Sequence, residues 1–94
     1  MILLDTNILI YSKLASSPHY SGVTTRILSL ISANENLIIC PQVIYEFFFV
    51  ATKPIPKGGL GLSTSDAIKE INDLIITYKL VTIQLLYSIH GKTQ

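Results

Sequence analysis

The sequence predicts an α/β domain built on a mostly parallel sheet flanked by helices. Three observations lead there. Two short apolar runs, Met1-Ile2-Leu3-Leu4 and Leu37-Ile38-Ile39-Cys40, suit strands buried on both faces, as parallel strands are. Between and behind them, apolar residues recur at helical spacing. Strands that alternate with helices pair in parallel through crossover connections.

The first strand stops at Asp5-Thr6-Asn7, residues that favour turns and helix caps. Apolar character resumes from Ile8 to Tyr11, the start of a short helix, and Ser16-Ser17-Pro18 is a loop. From His19 to Ala33 a second helix is expected. Val23, Ile27, Leu28, Leu30 and Ile31 form its apolar side, with Thr24, Thr25 and Arg26 opposite. Asn34-Glu35-Asn36 is a turn, and Pro41 closes the second strand. Gln42 to Thr52 predicts a helix whose wide apolar face is Val43, Ile44, Phe47, Phe48 and Ala51.

The stretch from Lys53 to Gly61 holds two prolines and three glycines, so a loop is expected there. Ser63-Thr64-Ser65-Asp66 has the form of a capping box. Behind it Ala67, Ile68, Ile71, Leu74, Ile75 and Tyr78 mark an amphipathic helix. Leu80 to Leu85 predicts a third strand. The whole chain, residues 1–94, reads as a single, partial domain.

Composition sharpens this. The chain is 49% hydrophobic and 14% charged, with a mean hydropathy of +0.49. Ordinary domains carry about a quarter charged residues, so a disordered tail is excluded. A chain this short and apolar leaves surface that calls for a partner or a further piece of domain. The net charge is +1 and the seven basic residues are spread singly, so no basic footprint announces nucleic acid. The single cysteine, Cys40, cannot form an internal disulfide and suits a reducing compartment, where it reads as a small buried hydrophobe. Asp5 interrupts the first apolar run, which argues against a secretory signal. Lys79 and Gln84 break the apolar stretch from Leu74 to Ile89, which is too short to cross a bilayer. A soluble, cytoplasmic protein without membrane association is expected.

Two carboxylates stand out because they lack partners. Ligands of open α/β sheets bind beyond the carboxyl ends of the strands, and Asp5 sits at such an end. Glu46 lies in the first turns of the helix after the second strand and can reach the same edge. Its helical neighbours are Gln42, Val43, Phe49 and Val50, so no intrahelical ion pair is open to it. No lysine or arginine precedes Lys13 to neutralise Asp5. By spacing alone, Asp5 reads as a helix N-cap and Glu46 as a residue at a solvent edge. Two unpaired acids at one edge also suit a hard cation such as Mg²⁺, which accepts a few carboxylates and keeps its waters.

Ile2-Leu3-Leu4-Asp5-Thr6-Asn7-Ile8-Leu9-Ile10-Tyr11 resembles the opening motif of the PIN-domain family: an apolar strand, then Asp-Thr-Asn, then a short apolar helix. Cys40-Pro41-Gln42-Val43-Ile44-Tyr45-Glu46-Phe47 resembles the second motif of that family. The chain from Met1 to about Tyr78 can be aligned this way, and it looks most like the toxin subunits of bacterial VapBC-type toxin–antitoxin pairs. The resemblance implies a PIN-like parallel sheet and a cluster of three or four acids holding Mg²⁺ or Mn²⁺. In that family the metal activates a water that attacks an RNA phosphodiester. Asp5 and Glu46 match the metal-binding, catalytic acids, and Thr6 and Asn7 match supporting polar residues around the first acid. An RNA substrate, an antitoxin protein and a homodimer are the partners so implied.

The match also has gaps. The third acid of the family lies in a His-Asp-Ala motif and a fourth follows a later strand. The remaining acids here are Glu35, Asp66, Glu70 and Asp73. Glu35 is in a turn, Asp66 is a capping residue, and Glu70 and Asp73 fall on the polar, solvated face of their helix. The tail His90-Gly91-Lys92-Thr93-Gln94 resembles the approach to His-Asp-Ala and stops there. The last strands are therefore expected to be missing, with the first strand left as an unpaired apolar edge. The alternative to a toxin-like ribonuclease is a truncated, inactive remnant acting only as a protein-binding module.

Other signals are weaker. Gly91-Lys92-Thr93 lacks the earlier glycine and following helix of a phosphate loop. Gly58-Gly59-Leu60-Gly61 follows prolines rather than a strand, which argues against a dinucleotide site. His19 and His90 have no metal-ligand spacing. The Phe47-Phe48-Phe49 run reads as core rather than as a base-stacking platform.

Overall fold

The computed structural model describes residues 1–82. The parts of the sequence reading that concern Ile83 to Leu85 and the His90 to Gln94 tail lie outside the described residues.

The backbone forms an α/β fold. Strand β1 (Ile2–Leu3) leads to helices α1 (Thr6–Lys13) and α2 (Tyr20–Ser32). Strand β2 (Leu37–Ile39), helix α3 (Pro41–Thr52), helix α4 (Thr64–Thr77) and strand β3 (Lys79–Leu80) follow. The three strands form one sheet in the order β1-β2-β3, and both pairings are parallel. All three residues of the central strand β2 are buried, which is why it reads as an unbroken apolar run. β1 lies at an edge. Ile2 and Leu4 turn their N–H groups toward Asn36 and Ile38, so the backbone groups of Leu3 face away from β2.

The helices touch mainly in the order α2, α1, α3, α4. The largest fully buried side chains are Phe47, Leu9, Ile38, Ile39 and Leu74. Each such side chain contributes about 1.5–3 kcal/mol by leaving water. Val43, Phe47 and Ala51 supply the buried stripe of α3, with Ile44 and Phe48 packed beside it, as the spacing predicts. Cys40 is buried and free.

The expected apolar faces of α2 and α4 prove too wide. α2 buries Ile27, with Val23 and Leu30 beside it, and leaves Leu28 and Ile31 exposed. α4 turns Ala67, Ile71, Leu74 and Tyr78 inward, while Ile68 and Ile75 are exposed. Each helix meets its neighbours along a single stripe, so apolar residues one step around the wheel fall outside it.

Element boundaries moved for local reasons. Pro41 does not end β2; it opens α3 at a position that needs no N–H donor. Ser63 caps α4 by accepting from the Asp66 N–H over 3.1 Å, and this half of the expected box is the one formed. β3 begins at Lys79, one residue before the expected start.

The Pro/Gly stretch contains one 3₁₀ turn, Ile55–Lys57, which ends on Gly58 with φ of +90°. It then folds back on α3. Leu60 N–H donates to the Val50 carbonyl over 3.0 Å and Leu62 N–H to the Ala51 carbonyl over 2.8 Å. Those carbonyls are the ones a helix end leaves without partners. Gly59 passes so close to Lys53 that a Cβ there would lie 2.0 Å from the Lys53 carbonyl oxygen. No helix among the described residues is long and apolar enough to cross a membrane.

Candidate functional site

The ends of β1 and β2 point the same way because the strands are parallel. The chain leaves each directly into a helix, β1 into α1 and β2 into α3. Residues at the start of α1 and in the first turns of α3 therefore meet at one edge of the sheet.

Asp5 is the N-cap of α1, with extended backbone and its Oδ1 accepting from the Ile8 N–H over 2.9 Å. The capping role expected from spacing is thus real. It occupies one oxygen, and Oδ2 has no protein hydrogen bond among the described residues. Asp5 is exposed to solvent.

Glu46 reaches the same place from α3. Its Oε2 accepts from the Thr6 hydroxyl over 2.6 Å, and its Oε1 lies 3.4 Å from the Gln42 amide nitrogen one turn earlier. The second contact is long and weak. Asp5, Thr6, Asn7, Val43, Glu46, Phe49 and Val50 line one open cleft. The four polar residues singled out in the sequence therefore stand together. The role expected of Thr6 changes: its hydroxyl holds the second acid, not the first.

No ion pair among the described residues involves Asp5 or Glu46. Lys13 is the basic residue nearest to Asp5 in the sequence, and it is committed elsewhere. Its ammonium lies 3.1 Å from Glu70 and also pairs with Asp73, both on α4. Partial burial works against the Lys13 charge, but the hydrogen bonds and attraction of Asp73 and Glu70 outweigh it and hold its pKa above the ordinary lysine value. Glu70 and Asp73, expected to be merely solvated, are thus a clamp between α1 and α4. Burial, followed by the charge of Asp73, raises the neighbouring Tyr78 against an opposing effect of Lys13.

The donor set is two carboxylates with hydroxyl and amide oxygens near them, which fits a hard divalent cation that retains several waters. Among the described residues no third acid, histidine or cysteine joins the pair.

The aromatic run is core for two of its three rings. Phe47 is fully buried and Phe48 half-buried, but Phe49 is 72% exposed on the wall of this cleft. Successive helical residues turn by about 100°, so three in a row cannot all face the core. That geometry was available from the sequence and singles out one of the three as outward-facing.

The chain matches no protein-family model and no curated protein.

Proposed function

We propose that the chain is a Mg²⁺-dependent endoribonuclease of the PIN type, with Asp5 and Glu46 holding the cation; Mn²⁺ suits the same donors. One observation carries this reading. Two carboxylates line a single open cleft, and no protein cation among the described residues neutralises either. A divalent cation is attracted by both carboxylates at once and accepts their oxygens while keeping its waters.

Bound there, Mg²⁺ would supply an activated water and offset charge on a scissile phosphodiester. The side chains of the cleft do the positioning. The Ile8 N–H fixes the Asp5 carboxylate and leaves Oδ2 for the ion. Thr6 fixes Glu46 from across the cleft. Asn7 adds an amide for a phosphate oxygen or water. A toxin-like role in the cytoplasm, with control by an antitoxin-like protein and action as a homodimer, belongs to the same proposal.

A second reading, a protein-binding module without catalysis, is favoured by the meeting of only two acids among the described residues. RNA cleavage with Mg²⁺, with and without EDTA, separates the two when wild type is compared with Asp5→Asn. Cleavage that needs both the metal and Asp5 supports the nuclease. Mn²⁺ binding without cleavage supports the module. Cleavage that survives EDTA and the substitution ends the metal mechanism.

A further inference from the structure

The cleft has a feature that cation binding does not use. Phe49 forms part of its wall and is 72% exposed, and Tyr45, one turn earlier on α3, is 70% exposed. Neither ring contributes to the buried core. Lys53, the C-cap residue of α3, is also exposed, as is Lys57 beyond it, and neither enters an ion pair among the described residues.

Glu46 and Lys53 are seven positions apart, so they share one stripe about 10 Å long, and Phe49 lies between them. An acid, an aromatic ring and a lysine with no ion pair among the described residues therefore follow one another along a single ridge. The cleft at its acid end measures about 460 Å³, within the range of small-ligand sites.

We propose that this ridge binds single-stranded RNA, with an unpaired base stacked on Phe49, one adjacent phosphate at the Asp5–Glu46 end and the next directed toward Lys53. The proposal deepens the nuclease reading and rests on it. Bases within a duplex are already stacked on each other and cannot cover a protein ring. Any base has a π-face, so stacking tolerates sequence. It also explains how a chain of net charge +1, without a basic patch, could hold a polyanion. The charge pattern favours nucleic acid over an apolar protein partner, because the ridge is bounded by a cation site at one end and a lysine at the other.

The test uses the full chain and a short single-stranded RNA carrying a fluorescent adenine analogue, in Ca²⁺ so that a hard cation is available to the acid pair and its adjacent phosphate, with gel analysis to check that the RNA stays intact. Wild type is expected to change the fluorescence on binding. Phe49→Ala should weaken binding about 5- to 150-fold, the range for loss of one stacked base. Phe49→Tyr should restore it, and the same RNA as a duplex should bind poorly. Phe49 is largely exposed, so circular dichroism should find both variants folded. Mn²⁺ binding, followed separately by electron paramagnetic resonance, reports on the acid pair alone, so failure of the stacking site and failure of the metal site are told apart. Equal RNA affinity of wild type and Phe49→Ala, equal affinity for duplex, or no RNA binding by wild type overturns the proposal. So does self-association that depends on Phe49 while RNA affinity does not, which would mark the ridge as a protein interface.

Discussion

The Thr6 hydroxyl donates to Glu46 Oε2 over 2.6 Å, joining residues 40 positions apart. This bond brings the first turn of α1 against α3 and gives Glu46 a fixed direction at the sheet edge. Thr6→Val keeps the shape and deletes the donor. Stability should fall by about 1 kcal/mol, the usual net worth of such a bond. Mn²⁺ affinity should fall about tenfold if Glu46 is a ligand, as for other residues that orient metal-binding groups. Thr6→Ser should retain both. Chemical denaturation and Mn²⁺ titration check the two effects, and an unchanged affinity in Thr6→Val would detach Thr6 from the site.

Asp5 has two tasks that substitution can separate. Asparagine keeps an oxygen for the Ile8 N–H but replaces the second oxygen with an amide nitrogen. Asp5→Asn should therefore lose Mn²⁺ binding while stability changes by only a few tenths of a kcal/mol. Asp5→Ala should lose Mn²⁺ binding and about 1 kcal/mol of stability with the cap. Thermal melts beside Mn²⁺ titrations decide this. Equal stability of the two variants would contradict the capping role.

Much of this arrangement is legible in the sequence, and the limits have physical causes. Asp5 and Glu46 are conspicuous because local spacing offers them no cation, and the core stripe of α3 follows from its period. The bond from Thr6 to Glu46 is not legible, because no local rule pairs residues that meet only when α1 packs on α3. The same holds for Lys13, whose partners lie on α4 at a separation of 60 residues for Asp73. Phe49 is a different case, since helical rotation alone sets it apart from Phe47. The apolar faces of α2 and α4 look wider in the sequence than they are, because periodicity gives the direction of a face and not how far its neighbours cover it.

The Lys13 clamp has a defined pH signature. Its pKa is raised in the folded protein above the ordinary 10.5, so folding favours its protonated form. The contribution is complete below that value and is lost as pH rises through the higher folded pKa. Both partners are partly exposed, which limits the clamp to about 1 kcal/mol. Lys13→Met should be less stable than wild type at neutral pH, and the gap should close in strongly alkaline solution. Denaturation midpoints across that range test this; a gap independent of pH would point to packing instead.

Phe47 is fully buried in the inward-facing stripe of α3 and is the largest of the closed-off side chains. Phe47→Ala should cost about 3–5 kcal/mol. A small domain has roughly 5–15 kcal/mol in all, so partial unfolding at room temperature is expected. Phe49→Ala, two positions on, should cost little. Denaturant midpoints of the two variants compare them directly, and similar losses would contradict the assigned orientation of α3.

The backbone bonds from Leu60 and Leu62 onto the last turn of α3 make an irregular segment act as a brace. A stretch rich in proline and glycine would ordinarily be assigned to the loosest part of a molecule. Here it seals the carboxyl end of the helix that carries Glu46 and Phe49, and Gly59 allows the approach because it has no side chain. Fraying of that helix would have to begin by peeling the brace away. The spacing between acid, ring and lysine is thus guarded by backbone bonds made at the far end of the helix.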